Sequence, residues 1–168
     1  MAVPEYTRIV FLAYFLTHIP ATLLIDAQVL LPARLVPRFA QSLLQWHIST
    51  NNDVLMANQP PWLRIFVACE LVFQLPFFFV ASHAIWKRRN DLNGWFIAYG
   101  AHTATTLAPI AQYILEYPGL SVRDKCALVG IYAPYLVVPL WIVWVMLTDG
   151  APFAKKTKTV STKTKKTR

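Results

Sequence analysis

Polar and apolar positions along this chain fall into long blocks. Within these blocks the short repeats of a soluble helix or strand are missing. Four apolar runs stand out: about Arg8 to Leu31, Trp62 to Trp86, about Gly94 to Leu115 and about Lys125 to Leu147. Each has the length of a membrane crossing, since about 20 residues at about 1.5 Å each span a hydrocarbon core. The pattern predicts an all-α membrane protein, a bundle of four transmembrane helices. Pro20, Pro76, Pro109, Pro134 and Pro139 interrupt the runs and predict kinked helices. They free the carbonyls of Leu16, Val72, Thr105, Gly130 and Tyr135, which need protein or water partners, so the kinks are expected to line an interior cavity.

Between the first and second runs, Pro32 to Pro61 is too long for a structureless loop. Phe39, Leu43, Leu44 and Trp46 recur there at helical spacing, with Arg38, Gln41 and Gln45 between them. This predicts a short amphipathic helix in the membrane interface, on the luminal side. Asn51-Asn52-Asp53 and Gln59-Pro60-Pro61 read as turns. The connectors Lys87 to Asp91 and Glu116 to Arg123 are short and polar. The first run reads as an uncleaved span, because Glu5 offsets Arg8 and no small-residue cleavage site follows.

Composition agrees with the pattern. Hydrophobic residues make up 56% of the 168 and charged residues 14%, with a mean hydropathy of +0.42. Soluble domains carry about 25% charged residues. The net charge of +8 is local, because seven of the basic residues (Lys155, Lys156, Lys158, Lys163, Lys165, Lys166 and Arg168) follow the last apolar run. The expected organisation is a four-span membrane domain over residues 1–150 and a disordered Lys/Thr-rich cytosolic tail over 151–168. This basic charge points to a membrane surface or a cytosolic address and away from nucleic acid. With four spans, the side holding Arg8, Lys87, Arg88, Arg89 and the tail is the more basic, which places both termini in the cytosol. Lys165 and Lys166 then stand as a dilysine retrieval signal for the endoplasmic reticulum. Cys69 and Cys126 lie inside apolar runs and predict no disulfide framework. The histidines lack metal-ligand spacing, and no cofactor is expected.

The candidate chemistry centres on Glu70, inside an almost wholly apolar run. A carboxylate there costs at least about 2.5 kcal/mol on insertion scales, so it needs a partner, a proton or a wet cavity. Asp26, near the luminal end of the first span, is the expected neighbour, with Asp53 folding over both from the loop. Two adjacent carboxylates do not both ionise cheaply. The deeper Glu70 is therefore expected to hold the proton and donate a hydrogen bond to an ionised Asp26. Gln74 lies one turn from Glu70, and His102 with Thr106 makes another one-turn pair. One negative charge in an apolar cavity suits an amphiphile with a cation or hydroxyl on a greasy body. Trp141 and Trp144 read as packing residues.

The sequences His18-Ile19-Pro20, Asp26, Asp53 to Trp62, Cys69 to Phe78, His102 to Thr106 and Tyr132 to Tyr135 resemble the EXPERA family over essentially the first 150 residues. The resemblance implies a four-helix protein of the endoplasmic reticulum membrane, often a homodimer, with a pocket opening sideways to lipid. By matching positions it implies a ligand amine on Asp26, with Glu70 in support and Asp53 as a brace. Gln74, Thr106, Ile131 and Tyr135 fall at pocket positions. His47 departs from the family pattern, where a tyrosine stands, at a position that bears on ligand preference. The expected function is non-enzymatic binding of a sterol or cationic amphiphile in sterol homeostasis or trafficking. The alternative is quality control or escort of mitochondrial precursor proteins, after the fungal members. A further alternative, sterol double-bond isomerase, needs an acid one turn after His18. Thr22 stands there, and a threonine does not carry a proton to a ring carbon.

Overall fold

A computed structural model describes residues 3–155. The described residues are helical, with no strand among them. The first apolar run forms α1 (Glu5–Leu24), which bends at Ile25 into a 3₁₀ turn, Asp26–Val29. The loop carries α2 (Arg38–Asn51) and α3 (Val54–Asn58). The second run holds α4 (Pro61–Cys69) and α5 (Leu75–Trp86), joined through a π-helical turn, Glu70–Gln74. Then follow α6 (Asn93–Glu116), α7 (Val122–Tyr132) and α8 (Pro134–Thr148).

Three helical stretches are long and apolar enough to cross a membrane: Glu5–Val29, Pro61–Trp86 and Val122–Thr148. The third expected span, α6, has the length at 24 residues, but His102, Thr103, Thr105, Thr106 and Gln112 lower its apolarity. The structure thus gives an all-helical body with three membrane-compatible stretches where four were expected.

The prolines act in two ways. Pro76 and Pro134 stand at helix starts, where a missing N–H costs least. The Leu75 N–H reaches back five residues to the Glu70 carbonyl, so the helix widens just before Pro76. Pro20, Pro109 and Pro139 lie inside α1, α6 and α8, which continue through them.

Two packed regions result. In one, Phe11, Phe15, Phe78, Phe96 and Phe153 are fully buried, with Tyr14 and Tyr99 joined by a 2.8 Å hydroxyl pair. Phe153 docks there just past α8, and the Val3 N–H bonds the Pro152 carbonyl at 2.9 Å. The packed body therefore runs at least to Phe153. Most of the Lys/Thr tail, with Lys165 and Lys166, lies outside the described residues. In the other region Leu55, Leu63, Val67, Leu107 and Ile110 line a hollow, and Leu44, Ile114 and Leu128 belong to the same packed cluster.

Gly100 sets the approach of α6 to α8. A Cβ there would sit 2.6 Å from Val143 Cγ2 and 2.7 Å from the Pro139 carbonyl oxygen. As expected, α2 is an amphipathic helix. Ala40 and Leu44 face inward, while Phe39 and Trp46 are exposed.

Candidate functional site

The hollow is a cavity of about 140 Å³ among α1, α4, α6 and α7, roofed by α2 and α3. Pro20, Pro76, Pro109 and Pro134 each lie within two residues of a lining side chain (Ala21, Gln74, Ile110, Tyr135). Of the five residues whose carbonyls the prolines free, Tyr135 alone lines the cavity, opposite Pro139 in the same helix, so the expected link between the kinks and the cavity holds at that one place among the described residues.

Seven predicted residues line this cavity: Asp26, His47, Glu70, Gln74, Thr106, Ile131 and Tyr135. The eighth, Asp53, stands just behind the wall. It is fully buried and caps α3, accepting the Leu55 and Met56 N–H groups at 3.0 Å on Oδ1. On Oδ2 it accepts the Tyr132 hydroxyl at 2.8 Å and meets His47 Nε2 at 2.9 Å. Burial pushes its carboxyl upward, but the bonds from His47, the Met56 N–H and Tyr132 outweigh burial and hold it below its ordinary value. Asn51 donates to His47 Nδ1 at 3.1 Å, which leaves the His47 proton on Nε2, facing Asp53. The roof is thus tied to α7 through one saturated carboxylate.

Asp26 is its opposite. It occupies the 3₁₀ turn that ends the first stretch, half-buried against the cavity. Its carboxylate takes no hydrogen bond from any described residue. The expected Glu70–Asp26 hydrogen bond is likewise missing among the described residues. Instead the Thr22 hydroxyl, fully buried one turn before Asp26, donates to Glu70 Oε1 at 2.5 Å. His18 Nε2 lies 3.8 Å from the same oxygen. A short side chain on the neighbouring helix has taken the place given to Asp26. Asp26 is left facing the cavity.

The pair expected between His102 and Thr106 also divides. Thr106 lines the cavity and bonds back to the Thr103 carbonyl at 2.9 Å. His102 faces outward and accepts the Gln74 amide N–H at 3.3 Å. Twelve further residues line the cavity, nine of them apolar, and the three that carry polar groups stood outside the predicted site: His18, Thr103 and Tyr132. His18 stacks on Phe78 with ring centroids 4.6 Å apart, and its buried Nδ1 has no partner. Its position one turn before Thr22 was the available signal.

At about 140 Å³ the cavity is below the roughly 300–1,000 Å³ of pockets that hold drug-sized molecules. A larger guest has to displace lining side chains or lift the α2–α3 roof.

Residues 39–146 match the family model described as EXPERA, the expanded EBP superfamily. The chain is 43% identical to Sigma intracellular receptor 2 of Xenopus tropicalis over 150 residues, covering 82% of this chain and 86% of that protein. The human Sigma intracellular receptor 2 is 38% identical over 149 residues, covering 80% and 83%. Efficient mitochondria targeting-associated protein 19 of Saccharomyces cerevisiae is 33% identical over 151 residues, covering 80% and 94%.

Proposed function

The chain belongs to the EXPERA family of membrane proteins, and from that premise we propose that it is a non-enzymatic, sigma-2-receptor-like binding protein for a sterol or cationic amphiphile. It crosses the endoplasmic reticulum membrane four times, with α6 as the extra span, both termini cytosolic and the α2–α3 roof luminal. The homodimer implied by the resemblance belongs to the same proposal.

One observation carries the reading. Of the three carboxylates around the cavity, Asp53 is saturated and Glu70 is engaged by Thr22, while Asp26 faces the hollow without a hydrogen bond. A carboxylate facing an apolar hollow is completed best by a cation that brings its own greasy body. Glu70 and Gln74 then contact the same guest one turn deeper.

Thr22 supports the non-enzymatic assignment. Isomerisation of a ring double bond needs one group to give a proton and another to remove one. The resemblance places the second group of the isomerase at residue 22, where Thr22, hydrogen-bonded to Glu70, carries no proton to a ring carbon. The name of the yeast relative supports a second reading, escort of mitochondrial precursors, in which the cavity takes an apolar residue of a targeting helix.

The test is mass spectrometry of lipids that co-purify with the wild type and with Glu70→Gln and Asp26→Asn. An amphiphile retained by the wild type and lost from both variants is expected. Equal retention by all three overturns the reading. An isomerase-deficient yeast strain that regains 8-ene sterol conversion on receiving this chain overturns the non-enzymatic assignment.

A further inference from the structure

The chain does not leave the body at the end of α8. Residues 149–154 fold back as a strap over the end of the bundle that holds the first turn of α1 and the connector 87–92. The Pro152 carbonyl takes the Val3 N–H at 2.9 Å, and the Gly150 carbonyl takes the Asn93 amide at 3.3 Å. The Phe153 N–H donates to Asn90 Oδ1 at 2.8 Å, and the buried Phe153 ring meets Phe96 at 5.8 Å between centroids. Only Ala154 separates this anchor from Lys155, whose Cα therefore stands within about 7 Å of that of Phe153.

Aromatic side chains mark the level of the anchor. Tyr6, Trp86 and Trp144 are exposed on α1, α5 and α8, each within about one turn of this same end. Exposed amphipathic rings at the ends of spans sit among lipid headgroups. Lys155 thus starts in the headgroup layer. The folded end pairs its own charges: Arg8 and Arg88 share Glu5, and Arg89 binds Asp91. Beyond the anchor nothing offsets the positive charge. Residues 155–168 hold seven basic side chains and no acid, whereas nine basic and eight acidic residues precede them. Apart from Lys155 this segment lies outside the described residues. Its sequence holds only basic and hydroxyl side chains and Val160, so it has no apolar stripe for a protein groove and no ring to stack on a base.

We propose that residues 155–168 are a docking segment for acidic phospholipid, held in reach of the leaflet by the Phe153 strap. The strap fixes the first lysine among the headgroups, so the remaining charges meet lipid phosphate and carboxylate at high effective concentration. Each basic side chain near an acidic leaflet contributes about 1 kcal/mol of attraction, which salt screens. This gives the chain a lipid contact of a different chemistry from the cavity: anionic, at the surface and remote from Asp26. The inference rests on the membrane-spanning reading above, and which face is cytosolic does not enter its test.

The test purifies the full chain in detergent supplied with equal phosphatidylcholine and phosphatidylserine, and quantifies the retained lipids by mass spectrometry. Phosphatidylserine is expected to be enriched about tenfold at about 50 mM salt and to fall to near parity at about 500 mM. Thr157→Glu, Thr159→Glu, Ser161→Glu and Thr162→Glu together keep every lysine while setting four acids against the seven basic residues. They are expected to bring the enrichment below about threefold. A flexible insert of about 12 residues between Ala154 and Lys155 keeps every charge and the strap, and is expected to cut the enrichment about threefold. Both altered proteins are expected to bind a tertiary-amine amphiphile like the wild type, which reports that they fold. Absent enrichment overturns the proposal, and so does enrichment indifferent to salt, to the four acids or to the insert. Retention of RNA in place of phosphatidylserine overturns it as well. If the wild type binds no amine, the cavity reading fails, while phosphatidylserine enrichment still decides the docking segment.

Discussion

Around Phe11, Phe15, Phe78, Phe96 and Phe153, each ring is buried against another ring, and the one prominent polar contact, Tyr14 with Tyr99, is self-satisfied. Around Leu55, Leu63, Val67 and Leu107, similar apolar side chains enclose an open space that two carboxylates line. The first region provides rigidity and the second provides chemistry. The contrast repeats within the second region. Asp53 has its oxygens occupied and holds the roof in place, whereas Asp26 is left for a guest.

Substitutions can break this comparison at graded cost. Asp53→Ala strands the Tyr132 hydroxyl, the His47 N–H and two backbone N–H groups, and is expected to cost about 4 kcal/mol. Thermal unfolding in detergent reads this as a large drop in midpoint. A change of less than a third of that size removes the distinction between a structural Asp53 and a functional Asp26. The held-down Asp53 carboxyl also fixes a pH window. Its stabilisation is whole above the ordinary value of about 3.9 and is lost as pH falls through the lower folded value. Unfolding midpoints at pH 7 and pH 5 should therefore differ equally between wild type and Asp53→Asn, with the two converging only in stronger acid.

Phe15→Ala is expected to cost about 3 kcal/mol through lost packing, since lipid already matches the apolarity of the core. Affinity for a cavity ligand should stay within twofold, which a binding isotherm checks. Gly100→Ala forces a methyl against the Pro139 carbonyl, at about 2 kcal/mol of overpacking. The smallest effect is expected from Thr22→Val, about 1 kcal/mol for one hydrogen bond to Glu70. That variant sharpens the comparison, because Glu70 becomes as free as Asp26 and ligand affinity should rise.

Much of this was legible because block length is a strong signal. The second apolar run, read from Trp62 to Trp86, forms the helical stretch Pro61–Trp86. The α2 helix and the nearness of Asp26, Glu70 and Gln74 were readable from spacing, whereas Thr106, Ile131 and Tyr135 joined the site through the family resemblance. Geometry below the level of residue pattern was not. The π turn at Glu70–Gln74 leaves no periodicity of its own in an apolar run. The bond between Thr22 and Glu70 depends on which helix faces which, and apolar runs that bury several faces do not encode that. The separation of His102 from Thr106 follows from the same ambiguity, because neighbours one turn apart can straddle the edge of a buried face. Thr103, at that edge, lines the cavity while His102 looks out.

The central claim is that Asp26 supplies the charge that selects the ligand. A tertiary-amine amphiphile and its neutral carbon isostere should be titrated against the wild type and Asp26→Asn in nanodiscs. The wild type is expected to prefer the amine by roughly 30-fold or more, the scale of a buried charge pair, and Asp26→Asn by less than about threefold. An undiminished preference for the amine in Asp26→Asn, at an unchanged unfolding midpoint, contradicts the account.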